Sequence, residues 1–216
     1  MLPDDVLLKV FDFCRQDQEY TLHEPGQWDY WKWHLLVHVC HQWRQIVFTS
    51  PRPLNLQICC TSSTPVRDNL GIWPPFPIAV FYNFLSQITP NGEDHILAAL
   101  RQIDRVCEVR LTVTASQLEK MAKVMLEPFP VLTHLFISSS DRSAPLYRDV
   151  PALPAGFLGG SAPCLQMIIR GISYPKLLTL LLSTSDLVKL NLSDVPPDGY
   201  ISPEAMVASL AALPKL

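Results

Sequence analysis

The chain has 216 residues, 48% of them hydrophobic, which supplies a buried core and excludes a disordered chain. Seventeen basic and 20 acidic side chains give a net charge of -3. Four basic and seven acidic groups lie in the first fifty residues and the remainder is balanced, so no part carries the basic field that binds phosphate backbones.

The first element is a helix. Pro3 suits a helix start, where its missing N–H costs nothing. Asp4 and Asp5 place negative charge at the positive end of the helix dipole, and Leu7, Val10, Phe11 and Cys14 recur at helical spacing. Residues 15–27 are polar, contain Pro25-Gly26 and read as a loop. An aromatic cluster follows (Trp28, Tyr30, Trp31, Trp33), and then a second apolar stripe at 3.6 spacing, Leu36, Val39, Cys40, Trp43 and Val47. Ser50-Pro51-Arg52-Pro53 closes this region, which sets expected domains of 1–50 and 51–216.

Beyond Pro53 short strand-like runs alternate with helices. The strands are expected at 54–58, 78–82, 106–113, 132–137, 165–170 and 187–192. Helix starts are marked at Thr64-Pro65, at a capping box of Ser116 and Glu119, at Pro175 and at Ser202-Pro203, with a further helix carrying Ile96, Leu100 and Ile103. Strands recur every 27 residues or so, a leucine-rich-repeat spacing. Three of them fit L-x-x-L-x-L: Val106/Val109/Leu111, Leu132/Leu135/Ile137 and Leu187/Leu190/Leu192. A fourth, Leu165/Ile168, has Arg170 in the last apolar place. One strand-plus-helix unit cannot bury its apolar face alone, whereas a row of units shares one core. The expected class is therefore α/β, a helical module followed by a β/α solenoid with a parallel sheet. A doubly wound domain also alternates strands and helices, but it calls for fully apolar strands and a glycine-rich phosphate loop, and the chain holds only 8 glycines.

Six cysteines without a C-x-x-C pair read as reduced, buried hydrophobes. The start M-L-P-D-D shows no signal peptide, and no apolar run approaches the ~20 residues of a membrane span, so an intracellular protein of cytoplasm or nucleus is expected. Asn191-Leu192-Ser193 fits a glycosylation acceptor, a chance match in such a chain. His34, His38 and His41 surround Cys40, but Cys40 belongs to the apolar stripe and ordinary helix histidines are the reading preferred over zinc. Gly159-Gly160-Ser161-Ala162 stops short of G-x-S-x-G because Pro163 follows, and nothing orders Ser161 with His134 or Asp141. No catalytic residue, metal ligand or cofactor is assigned, and no enzymatic activity is expected.

L-P-D-D-V-L-L-K-V-F (2–11) and V-H-V-C-H-Q-W-R-Q-I-V (37–47) resemble an F-box, with Leu2, Pro3, Asp5, Val10, Phe11, Val39, Cys40, Trp43 and Arg44 matching its pattern. Residues 15–33 depart from it, being longer and tryptophan-rich where an F-box has a short link and a compact middle helix. With P-R-P-L-N-L, L-G-I-W-P, F-L-G-G-S-A-P and G-Y-I-S-P-E-A-M, the whole chain is similar to fungal F-box proteins with degenerate leucine-rich repeats. The resemblance implies docking on a Skp-type adaptor tethered to a cullin scaffold, through Leu2, Pro3, Leu7, Val10, Phe11, Val39, Cys40 and Trp43. It implies a protein substrate, of unknown identity, held by the repeats for ubiquitin transfer on other subunits. Strand alternation puts Glu108, Arg110, Thr112, His134, Phe136, Lys189 and Asn191 on the outward face where such a substrate would sit. The alternative is a repeat scaffold that binds proteins without a ligase; neither involves nucleic acid or membrane. Finally, Leu213-Pro214-Lys215-Leu216 restores L-x-x-L, so the array is expected to continue past the last residue and the isolated chain to self-associate or fray there.

Overall fold

A computed structural model describes residues 2–19, 33–49, 56–71, 74–83, 91–139, 152–160, 165–174, 177–183, 187, 189–195, 197–211 and 213. Outside the described residues lie the Pro25-Gly26 loop, Trp28, Tyr30, Trp31, the boundary at 50–53, Trp73, Asp141, Ser161, Cys164, Pro175 and residues 214–216. The chain forms two compact units, one of residues 1–58 with 72–77 and one of 59–71 with 78–216.

The first unit is helical. Helix α1 (Asp4–Glu19) runs five residues past Cys14, into the segment expected to be a loop. The Pro3 carbonyl accepts from the Val6 and Leu7 N–H groups, so Pro3 opens the helix without forfeiting a hydrogen bond of its own. The second stripe does not form one continuous helix. A 3-10 turn (Trp33–His38) is followed by a break at Val39 and Cys40, and α2 (His41–Thr49) starts afresh. Arg44 donates through Nε to the Val37 carbonyl at 2.9 Å and so closes the turn against α2. The break changes which side chains face inward: Val37, Ile46 and Val47 are buried, while Val39 and Cys40 are exposed. Gln42 Nε2 donates to the Leu2 carbonyl at 3.1 Å and to Asp4 Oδ1 at 2.8 Å, joining the starts of α1 and α2.

The sheet has six strands in the order β1-β2-β3-β4-β5-β6, namely Ile58–Cys60, Ile78–Asn83, Val106–Val113, His134–Ser139, Gln166–Arg170 and Leu190–Ser193. Every neighbouring pair from β2 to β6 is parallel. Each new strand is laid beside the one before it, so this order has no reversal of the kind that makes the ligand crevice of a doubly wound sheet. Five of the expected strands form, displaced by up to three residues at their starts, whereas the one expected at 54–58, of which 54 and 55 lie outside the described residues, meets β1 only at Ile58.

The helices are α3 (Val66–Asn69), α4 (Gly92–Leu100), α5 (Ala115–Val124), α6 (Leu177–Ser183) and α7 (Pro203–Ala211). They neighbour one another in chain order: α3 on α4, α4 on α5, α6 on α7. A 3-10 turn (Phe157–Gly160) touches α6, and its Leu158 N–H donates to the Met125 carbonyl at the end of α5, 2.7 Å away.

The first two apolar places of L-x-x-L-x-L are three apart, one more than strand alternation permits. Between β2 and β3 the excess is taken up by a bulge: Ile78 pairs with Val106, but Ala79 pairs with Glu108, and Val106, Val109, Leu111 and Val113 all face the core. The expected frame at Leu165/Ile168 is corrected. Leu165, Met167 and Ile169 are buried in strict alternation, because Met167 and Ile169 pair with Leu135 and Ile137; Ile168 faces outward.

Two helix starts also differ from expectation. The capping box at α5 is Thr114 with Gln117, not Ser116 with Glu119. β3 holds its extended backbone to Val113, so Thr114 is the first residue whose hydroxyl reaches the third N–H of the helix. Thr64 caps no helix; its hydroxyl accepts from the Thr61 N–H at 2.9 Å and closes a turn. Ser202 does cap α7, accepting from the Ala205 N–H at 3.2 Å.

Candidate functional site

Two surfaces carry the expected binding residues, one on each unit. On the first, α1 has two adjacent apolar stripes with opposite fates. Leu7 and Phe11 are buried, and Phe11 meets the half-buried Trp43 edge to face. These three residues were expected to touch an adaptor; Leu7 and Phe11 instead form the unit's own interior, since helix pairing needs one stripe of α1 for itself. About 100° around the helix, Val6, Val10 and Phe13 share one exposed face, with Phe13 at 65% exposure, and Leu2, just before α1, is exposed as well. Pro3, Val39 and Cys40 are also exposed. Seven of the twelve large exposed hydrophobics among the described residues belong to this unit: Leu2, Val6, Val10, Phe13, Leu35, Val39 and Phe48. Val6 and Phe13 were missed in the sequence, although large apolar residues at 2, 6, 10 and 13 repeat at helical spacing.

The second surface is the outward face of the sheet. In register across β3 and β4, Glu108 stands beside His134, Arg110 beside Phe136 and Thr112 beside Ser138. Phe136 then pairs with Ile168, and Ile168 with Asn191. Six expected residues thus come together on neighbouring strands, and Lys189, just before β6, is exposed at the end of that face. Sequence reasoning had passed over Gln166 and Ile168, because the frame of β5 was read one place off. Glu108 and Arg110 form an ion pair along β3, and Arg170 pairs with Asp194 at 3.0 Å. The face therefore presents paired charges beside Phe136 and Ile168, a chemically mixed surface.

Three cysteines of the sheet region are held as thiols. Burial chiefly pushes the Cys59 and Cys60 thiols up to about 12 and Cys107 up to about 11, with a smaller contribution from the Glu108 carboxylate at Cys59 and Cys107. At neutral pH they remain thiols, the unreactive form. The Thr133 hydroxyl donates to the Cys107 carbonyl at 2.9 Å, so it can only accept from His134 Nδ1, also 2.9 Å away. That arrangement orients the imidazole; it does not activate the hydroxyl. His38 and His41 are exposed, and among the described residues no group of three or more His, Cys, Asp and Glu side chains is placed to hold a metal ion. No described helix is long and apolar enough to cross a membrane.

Comparison with protein-family models, with curated proteins and with solved structures returned no match for this chain.

Proposed function

We propose that this chain is a non-catalytic, intracellular substrate-recognition adaptor of a cullin-type (SCF) ubiquitin ligase. Its helical unit would dock as an F-box on a Skp-type adaptor, and its leucine-rich-repeat-like array would hold the protein substrate. The observation that carries this reading is the exposed stripe of Val6, Val10 and Phe13 on α1, with exposed Leu2 just before the helix. A helix that keeps one apolar stripe for its own core and offers a second to solvent is what helix-in-groove recognition requires. The array reading is supported by the sheet, in which successive strands join in order and the extra residue of L-x-x-L-x-L is absorbed as a bulge. Ubiquitin chemistry belongs to other subunits, and the protonated thiols are compatible with that division of labour.

The test is co-precipitation of the purified chain with a Skp-type adaptor and a cullin. Wild type binds; a folded Leu2→Ala, Pro3→Ala double variant binds more weakly, since truncating anchors at an interface commonly costs about 2 kcal/mol or more. Absence of binding by the wild type overturns the ligase role. It would leave the alternative, a repeat scaffold independent of ubiquitin ligases, which the mixed outward face of β3–β6 favours by itself.

A further inference from the structure

An apolar cleft of about 720 Å3 opens at the β6 end of the second unit. Its origin is visible in the register. Tyr82, Leu111, Ile137, Ile169 and Leu192 form one inward row across five strands. The row is fully covered as far as Ile169 but only half-covered at Leu192, where the sheet reaches its last strand. There the space under the sheet is bounded by Ile169 and Leu192 from the strands, Leu177 at the start of α6 and Met206 of α7, with the exposed Val195 and Tyr200 in the chain after β6.

Contacts between the turns tie the walls together. The turns after β5 and β6 sit at matching positions, following the paired residues Arg170 and Ser193, and each turns on a left-handed residue, Gly171 at φ 66 and Asp194 at φ 53. The Arg170–Asp194 ion pair links them. Gly199 lets the second turn lie against the first: a Cβ there would meet Ser173 Oγ at 3.1 Å and Val195 Cγ1 at 3.2 Å. The cleft therefore has the size and preformed character of a small-molecule site, and it lies at the carboxyl ends of parallel strands. Among the described residues that line it, none carries a charged side chain. A charged group entering it finds no counter-ion among the described lining residues, whereas hydrocarbon loses water on both sides. The Tyr174 hydroxyl, buried by the same walls, is turned to the Phe157 carbonyl 3.5 Å away.

From this geometry we infer that the cleft binds one uncharged, largely hydrocarbon small molecule, of the long-chain alcohol, isoprenoid or sterol class, its polar end at the mouth beside Tyr200. This site is separate from the adaptor-docking stripe and stands or falls without the ligase reading.

The experiment is fluorescence titration of the full chain with the neutral probe N-phenyl-1-naphthylamine, with competition by hexadecanol or hexadecanoate and sedimentation velocity in parallel. Expected is saturable binding at a single site, displaced by hexadecanol about tenfold more effectively than by hexadecanoate. Met206→Trp fills the cleft and Val195→Trp blocks its mouth; each weakens the probe about tenfold or more. Should Met206→Trp fail to fold, Val195→Trp, at an exposed position, carries the test. Phe13→Ser, on the other unit, leaves probe binding unchanged. No saturable binding, equal binding by wild type and Val195→Trp, or equal competition by the carboxylate overturns the proposal. So does a wild-type dimer that Val195→Trp dissociates, which would make a second copy the occupant.

Discussion

Phe11 of α1 and Trp43 of α2 pack edge to face, ring centroids 4.8 Å apart and planes at 67°. Phe11 is 1% exposed, so this contact is the centre of the pairing that presents the outer stripe of α1. Phe11→Ala should therefore destabilise the helical unit by about 3–5 kcal/mol, as deletion of a buried aromatic ring does. A cycle of Phe11→Leu and Trp43→Leu should return a coupling of about 1 kcal/mol. Urea unfolding followed by tryptophan fluorescence measures both; additive single variants would show that the ring pair is incidental.

Phe13→Ser separates docking from folding. Phe13 is exposed on the stripe beside the buried one, so the substitution should move stability by no more than about 0.5 kcal/mol. Affinity for a Skp-type adaptor should fall about tenfold, or about 1.4 kcal/mol, by calorimetry. Unaltered affinity would remove Phe13 from the interface.

Gly159 and Gly160 both adopt left-handed backbone, φ 60 and 68, but differ in surroundings. A Cβ at Gly159 would lie 2.6 Å from Pro128 Cδ and 2.8 Å from its backbone N, whereas one at Gly160 meets open space. Gly160→Ala is expected to cost about 1 kcal/mol of backbone strain. Gly159→Ala adds a clash with backbone and should cost about 3 kcal/mol or more. Chemical denaturation of the pair reads the difference, and equal costs would show that the Pro128 contact yields freely.

The buried thiols make stability depend on alkaline pH. Cys59 and Cys60 rise from 9.0 to about 12, Cys107 from 9.0 to about 11 and Tyr174 from 10.0 to about 12, each chiefly through burial. Between those values the unfolded chain has released protons that the folded chain still holds. The contribution is thus fully present below pH 9 and is lost as pH climbs towards 12. Urea midpoints measured from pH 8 upward should fall, and Cys59→Ala should flatten the decline. At neutral pH a thiol reagent followed by peptide mapping should label the exposed Cys40 before Cys59, Cys60 or Cys107.

Much of the fold was legible in the residues because its signals are local. Alternation at 106–113 and 132–137 named the inward and outward sides of β3 and β4, since side chains in a strand alternate whatever lies beyond it. Pro3, Ser202 and the apolar spacing marked helices for the same reason. What needed tertiary structure were choices between locally equivalent answers. Leu7/Phe11 and Val6/Val10/Phe13 are equally good apolar stripes, and only the packing of Trp43 decides which is interior. Thr114 and Ser116 are both good caps, and only the length of β3 selects between them. The frame of β5 was set by pairing with β4, because the spacing from Leu165 admits two alternations and the register with Leu135 and Ile137 admits one. The cleft at β6 was beyond sequence reading altogether: its lining spans Ile169 to Met206, and no local pattern records that the inward row of the sheet runs out of cover at Leu192.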